Sequence, residues 1–278
     1  MSVDQENSRT HEGAAWAASR DAYLDLMKRC LTRYGDGEIF LAGPLEKPTW
    51  ATDDSTTMQD LAEGKYAHQD ADTMLGWYRL DNVRQCMERA LEEGIPGDFV
   101  ETGVWRGGTC MFMRAVLRAW DVRDRAVWVA DSFNGFPPPD VEQYPADARF
   151  ASPLAQQSLD AMPYSHSIGL AEVQSRFRRY GLLDDQVRFL PGYFRDTIPQ
   201  SPIEQVAVLR LDGDLYESTD VVLRHLYDRL SVGGYCIIDD YSLDPCVRAV
   251  EDFRAERGIT DPIEKIDWTG VYWRKTAA

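Results

Sequence analysis

Apolar residues are spaced in two ways along this chain, and the change comes near residue 97. Before it they recur every three or four positions. In DAYLDLMKRCLTRY (21–34), Tyr23, Leu24, Met27, Leu31 and Tyr34 share one face, which predicts an amphipathic helix. LGWYRLDNVRQCMERALEE (75–93) repeats the pattern, and Gly94 and Pro96 close it. Residues 1–20 are polar and Ala-rich with little periodicity and read as a disordered leader. Residues 35–70 are dominated by Gly, Pro, Thr and Asp, an irregular stretch long enough to serve as a lid.

After residue 97 short apolar runs alternate with helical stretches. DFVETG (98–103), AVWVADS (126–132), VRFLPG (187–192), QVAVLRLD (205–212) and YCIIDD (235–240) predict strands. Helices are predicted between them at about 108–120, 170–181, 216–230 and 245–257. IEKIDW (263–268) and VYWRK (271–275), joined by Thr269-Gly270, predict a closing strand pair. This alternation argues an α/β fold, a mostly parallel sheet with helices on both faces. The Pro-rich residues 136–165 are an insertion after the second strand. The chain therefore divides into a leader (1–20), N-terminal helices with a lid (21–96) and one domain from 97 to 278.

Composition narrows the classes. The chain has 278 residues, 44% of them hydrophobic and 27% charged, so it is long enough for a sizeable core and is not disordered throughout. Its 46 acidic and 30 basic residues leave a net charge of −16. Nucleic acid and anionic membranes are therefore poor partners. No apolar run approaches the roughly 20 residues that span a bilayer, and the start lacks the basic-then-apolar pattern of a secretory signal. Cys30, Cys86, Cys110, Cys236 and Cys246 are scattered and without a CxxC, which reads as reduced thiols in a cytoplasmic protein.

Two features carry chemistry. The first strand runs into Glu101-Thr102-Gly103-Val104-Trp105-Arg106-Gly107-Gly108, and the second ends in Asp131-Ser132-Phe133. A glycine turn before a helix lets a ligand approach backbone amides, and an acid ending the next strand can accept ribose hydroxyls. The spacing is not the dinucleotide GxGxxG, so a nicotinamide-dependent oxidoreductase is a weak reading. A tight turn with an ordinary strand-end acid is the plain structural alternative. The second feature is acidic: Asp212 and Asp214 follow the fourth strand, Asp239 and Asp240 the fifth. Four carboxylates at neighbouring strand ends repel unless a cation neutralises them, and oxygen donors without His or Cys favour Mg²⁺. Solvent-facing caps of the following helices at Asp214 and Asp240 are the alternative; a non-catalytic binding protein that kept the sheet is a separate reading, which unneutralised carboxylates argue against.

ETGVWRGGTCMFMR, VWVADSFNGFP, YGLLDDQVRFLPGYF, LRLDGDLY, LSVGGYCIIDDY and GVYWR together resemble the macrocin O-methyltransferase family over roughly residues 72–275. The resemblance implies a class I, Rossmann-like S-adenosylmethionine-dependent fold with seven strands, the last antiparallel, over residues 97–278. It implies Mg²⁺-assisted methylation of a hydroxyl on a deoxysugar of an antibiotic-type glycoside, and a homo-oligomer is expected beside it. The implied metal ligands are Asp212, Asp239 and Asp240, and the implied base is Asp214. The implied cofactor contacts are Glu101, Thr102, Gly103, Val104, Trp105, Asp131, Ser132, Phe133, Gly192 and Tyr193. A catechol-type O-methyltransferase acting on a phenolic diol would share the same cofactor and metal.

Overall fold

The computed structural model describes residues 3–33, 39–41, 58–152 and 165–277. Helix α1 runs Val3–Thr32, so most of the expected leader is helical. Its first twenty residues hold one glycine and no proline, and nothing there stops a helix. Leu24, Met27 and Leu31 are buried, and α1 packs on α4. β1 (Ile39–Leu41) and β2 (Tyr66–His68) make a small antiparallel pair, with α2 (Met58–Ala62) between them in sequence. α3 (Trp77–Glu92) buries Leu80, Val83, Met87 and Ala90.

The main sheet holds β3 (Asp98–Thr102), β4 (Val127–Asp131), β5 (Val187–Pro191), β6 (Val206–Leu211), β7 (Leu230–Ile238), β8 (Glu264–Lys265) and β9 (Val271–Arg274). Their order is β5-β4-β3-β6-β7-β9-β8. β3 to β7 pair in parallel, while β9 runs antiparallel to β7 and β8. Every residue of β6 is buried, as a strand covered on both faces must be. Alternate residues feed two cores. Phe99, Val127, Val208 and Ile237 meet α1, α3 and α4 (Gly108–Ala119) on one face. Val100, Trp128, Leu209 and Ile238 meet α7 (Tyr216–Leu226) and α8 (Asp244–Arg257) on the other. Two shorter helices, α5 (Leu170–Arg179) and α6 (Phe194–Thr197), flank β5 in sequence.

β7 starts at Leu230, inside the stretch predicted as the end of a helix. Long-range pairing decides this: Leu230 aligns with Val206, and the Gly233 N–H donates to the Lys275 carbonyl at 2.7 Å. The strand order reverses between β3 and β6, which opens a crevice at their carboxyl ends. Open α/β sheets bind ligands in that place.

Candidate active site

The crevice begins where β3 and β6 end side by side. The Asp212 N–H donates to the Thr102 carbonyl at 2.8 Å, and the Gly103 N–H to Ala130 at 2.9 Å. Gly103 has φ +85°, and a Cβ on it would lie 1.7 Å from the Asp212 carbonyl oxygen. No side chain fits there, so the two strand ends can close only around glycine. The chain then passes through Trp105 at φ 48° into α4.

Segment 72–75 lies across the start of α4. The Gly108 N–H donates to the Asp72 carbonyl at 2.9 Å. The buried Asp72 carboxylate accepts from Arg176 Nη1 and the Tyr180 hydroxyl, each at 2.6 Å. This brings Thr73, Met74 and Leu75 to the wall of a cavity of about 230 Å³.

Of the residues assigned to the cofactor, Glu101, Gly103, Val104, Trp105, Asp131, Ser132 and Tyr193 line this cavity. Asp131 is fixed by its neighbours, with Oδ2 accepting the Val104 N–H at 2.8 Å and Oδ1 the Phe133 N–H at 2.7 Å. Burial raises its pKa, and those N–H bonds hold the rise back. Three assigned residues are not in the wall. Thr102 is buried, with its hydroxyl on the Arg210 carbonyl at 3.4 Å. Phe133 packs on Phe189, ring centres 6.2 Å apart. Gly192 donates its N–H to the Asp131 carbonyl at 2.9 Å, which frames Tyr193 instead of touching the space.

The acidic residues converge as the sequence suggested. Asp212, Asp239 and Asp240 bring one carboxylate oxygen each to within 4.8 Å of one another. Asp214 and the cluster all line the cavity, and the Asp214 N–H donates to Asp240 Oδ2 at 3.0 Å. β6 has ended at Leu211, and Asp214 adopts left-handed φ 59°. A turn, not strand alternation, therefore aims its carboxyl. Such backbone strain in a non-glycine residue costs about 1–3 kcal/mol and persists only where the surroundings impose it.

The sequence reading missed the internal counter-charge. Arg210 is fully buried in β6. Its Nη1 donates to Glu101 Oε1 and, at 2.9 Å, to Asp212 Oδ2, and its Nη2 donates to Asp239 Oδ1. From α3, Arg79 Nη1 donates to Asp239 Oδ2 at 2.5 Å. An arginine inside an otherwise apolar strand buried on both faces was a signal, because a fully buried arginine is almost always paired. Nothing local marked Arg79.

These cations divide the cluster. Burial pushes Asp239 up, but Arg210 and Arg79 outweigh it and leave its carboxyl below the usual range. Burial and then the Asp239 charge raise Asp212 to about 6. Burial and then the Asp212 charge raise Asp214 to about 7. Desolvation and then the Asp214 charge hold the half-buried Asp240 well above the ordinary value. Glu101 is raised by burial to about 7, even with Arg210 against it. All-oxygen donors carrying more negative charge than the arginines offset suit a hard divalent cation.

A seven-stranded, mostly parallel sheet with an antiparallel strand near its edge, and a glycine turn opening into a cavity at the strand switch, defines a class I methyltransferase. The chain matches the macrocin O-methyltransferase (TylF) family over residues 20–275 and belongs to it. It is 48% identical over 259 residues to mycinamicin III 3''-O-methyltransferase of Micromonospora griseorubida, covering 92% of this chain and 97% of that protein. It is 47% identical over 256 residues to demethyldecarbamoylnovobiocin O-methyltransferase of Streptomyces niveus, covering 91% and 93%. The solved O-methyltransferase NovP superposes with a TM-score of 0.80 at 46% identity, over 93% of this chain and 100% of that one. The chain is therefore an S-adenosylmethionine-dependent O-methyltransferase, which sets aside the oxidoreductase and the non-catalytic readings.

Proposed function

We propose that this enzyme methylates a hydroxyl of a deoxysugar carried by a secondary-metabolite glycoside, with Mg²⁺ held by Asp212, Asp239 and Asp240. The carrying observation is the charge of the cavity. Glu101, Asp131, Asp212, Asp214, Asp239 and Asp240 line it; among the described residues Arg79 is the arginine in the wall, already engaged by Asp239, and Arg210 lies behind Glu101, Asp212 and Asp239. His166 also lines it, and burial lowers its pKa toward the neutral form. Phe136, Phe150, Phe194, Leu243 and Trp268 supply apolar and aromatic wall, of the sort that covers a sugar ring or an aglycone. The names of the relatives agree, since one is a methyltransferase of mycinamicin III and another acts on a rhamnosyl tetracenomycin.

Bound Mg²⁺ would supply a Lewis acid that makes a neighbouring hydroxyl more acidic. The chain does the rest. Asp131 at the end of β4 and Glu101 near the end of β3 hold the cofactor. Asp214, raised to about 7, is suited to take the sugar proton near neutral pH, where general-base help is worth about 10²–10⁴-fold. The walls align the hydroxyl with the methyl group. From the N-terminal part (21–96), Thr73, Met74, Leu75 and Arg79 complete the cavity, and the domain from 97 carries the cofactor. Four of the five cysteines are buried thiols, which suits work in the reducing cytoplasm.

The test is methyl transfer from S-adenosylmethionine to a panel of deoxysugar glycosides and catechols, with Mg²⁺ or with EDTA. Glycoside turnover that stops in EDTA and returns with Mg²⁺ is expected. Preference for catechols, or full activity in excess chelator, would overturn the reading.

A further inference from the structure

Arg79 reaches the carboxylate cluster from α3, outside the strand ends that carry the other acidic and cofactor residues. Besides its bond to Asp239, its Nε lies 2.9 Å from Asp267 Oδ2, an ion pair without hydrogen-bond geometry, and its Nη2 donates to the Gly64 carbonyl at 3.4 Å. The side chain runs through a narrow slot. A Cβ on Gly64 would stand 2.4 Å from its Nη2, and one on Gly270 would stand 3.2 Å from its Cγ and Cδ.

These contacts close a ring. Asp267 Oδ1 accepts the N–H groups of Thr269 at 3.0 Å and Gly270 at 2.7 Å. The Thr269 hydroxyl in turn donates to the Asp239 carbonyl at 2.9 Å. The ring of Asp239, Arg79, Asp267 and Thr269 therefore grips both the side chain and the backbone of Asp239. With Arg210 on Oδ1, each Asp239 oxygen meets a guanidinium. Its neighbours are held less: Asp212 meets Arg210, and Asp240 accepts the Asp214 N–H.

A cation beside a divalent-ion site lowers the affinity of that site if charge is all it contributes. We infer that Arg79 is a positioning residue, which fixes the plane of the Asp239 carboxylate against Asp212 and Asp240 and joins the C-terminal hairpin to the catalytic cluster. Lysine would keep the charge but cannot set a planar cation between Asp239, which it would have to bond, and the Asp267 carboxylate behind it.

The inference rests on the proposed cation site, and the experiment separates the two. Mg²⁺ and S-adenosylmethionine binding are measured by calorimetry on acceptor-free wild type, Arg79→Lys and Arg79→Gln, and kcat is measured at saturating cofactor and Mg²⁺. Both variants should bind Mg²⁺ about 10–100-fold more weakly, as expected when an outer partner of a ligand is lost. Both should lose at least about tenfold in kcat through misplacement, with cofactor affinity unchanged. A charge-offsetting role predicts the reverse. Tighter Mg²⁺ binding in Arg79→Gln, with wild-type behaviour in Arg79→Lys, would overturn the inference. If wild type binds no Mg²⁺, the cation site fails and kcat alone judges Arg79: a matched fall in both variants sustains its role, and wild-type kcat in Arg79→Lys ends it. Should Arg79→Gln not fold, Asp267→Asn keeps the Oδ1 acceptor and removes the charge behind Arg79. It should move Mg²⁺ affinity and kcat in the same direction by less, and wild-type values there would overturn the role.

Discussion

Asp147 Oδ1 accepts the backbone N–H of Tyr216 at 2.7 Å, so the insertion after β4 caps the helix that begins two residues beyond Asp214. Asp147 lies in a short 3-10 helix, Pro145–Arg149, and is fully buried. Its Oδ2 also accepts the Glu217 N–H at 3.1 Å. The cap of α7 is thus supplied from 69 residues away. Its removal orphans two helix N–H groups, at about 1–3 kcal/mol for a buried donor. Asp147→Ala should lower the denaturant midpoint by an equivalent amount and reduce kcat, because Asp214 precedes the freed turn. Unchanged kcat in a destabilised variant would show that the cap holds the helix without holding Asp214.

Asp214 and Asp212 should separate by chemistry. Asp214→Asn keeps shape and removes basicity, and kcat should fall at least about tenfold with little change in Mg²⁺ affinity. Asp212→Asn should weaken Mg²⁺ binding directly. Single-turnover methyl transfer with a Mg²⁺ titration checks both. Wild-type chemistry in Asp214→Asn at saturating Mg²⁺ would remove its role as base.

Stability should depend on pH in a way that Mg²⁺ reverses. Asp212 and Asp214 are raised to about 6 and about 7 in the fold, against about 3.9 in an unfolded chain. Between those values the native state holds protons that the unfolded chain has released. The contribution of these groups is therefore complete below about pH 4, is lost as pH rises toward 7, and is flat above that. A cation that binds the ionised cluster offsets that loss. The rise in Tm on adding Mg²⁺ should be larger at pH 8 than at pH 5.5, and an equal rise at both would contradict the account.

Gly103→Ala should cost both fold and cofactor. Its Cβ would overlap the Asp212 carbonyl, and the residue has positive φ, so β3 and β6 could not end together. Lost S-adenosylmethionine binding with a depressed Tm is expected. A variant that binds cofactor as wild type does would show that the strand ends can part without harm.

Much of the site was legible in the sequence because it depends on spacing along the chain. The β3–glycine turn–α4 unit, Asp131 ending β4, and the acidic pairs after β6 and β7 all follow from strand and helix periodicity. The sheet order then had to place those strand ends beside one another. Pairing between distant segments was not legible. Residues 227–230 read as helix until Lys275 and Val206 drew β7 back to Leu230. Nor was the turn after Leu211 legible, the turn that gives Asp214 positive φ and aims its carboxyl.

By itself the sequence determined the α/β class, the glycine turn and the carboxylates that gather at the strand ends, since each is a local pattern that β-branched runs, glycines and helix periodicity impose. Only the tertiary structure decided how those carboxylates are held. Arg79 stands 160 residues from Asp239 and Arg210 stands 109 from Glu101. Whether a buried charge meets its partner depends on how α3, β6 and the C-terminal hairpin pack around one another, and no window of neighbouring residues contains that geometry.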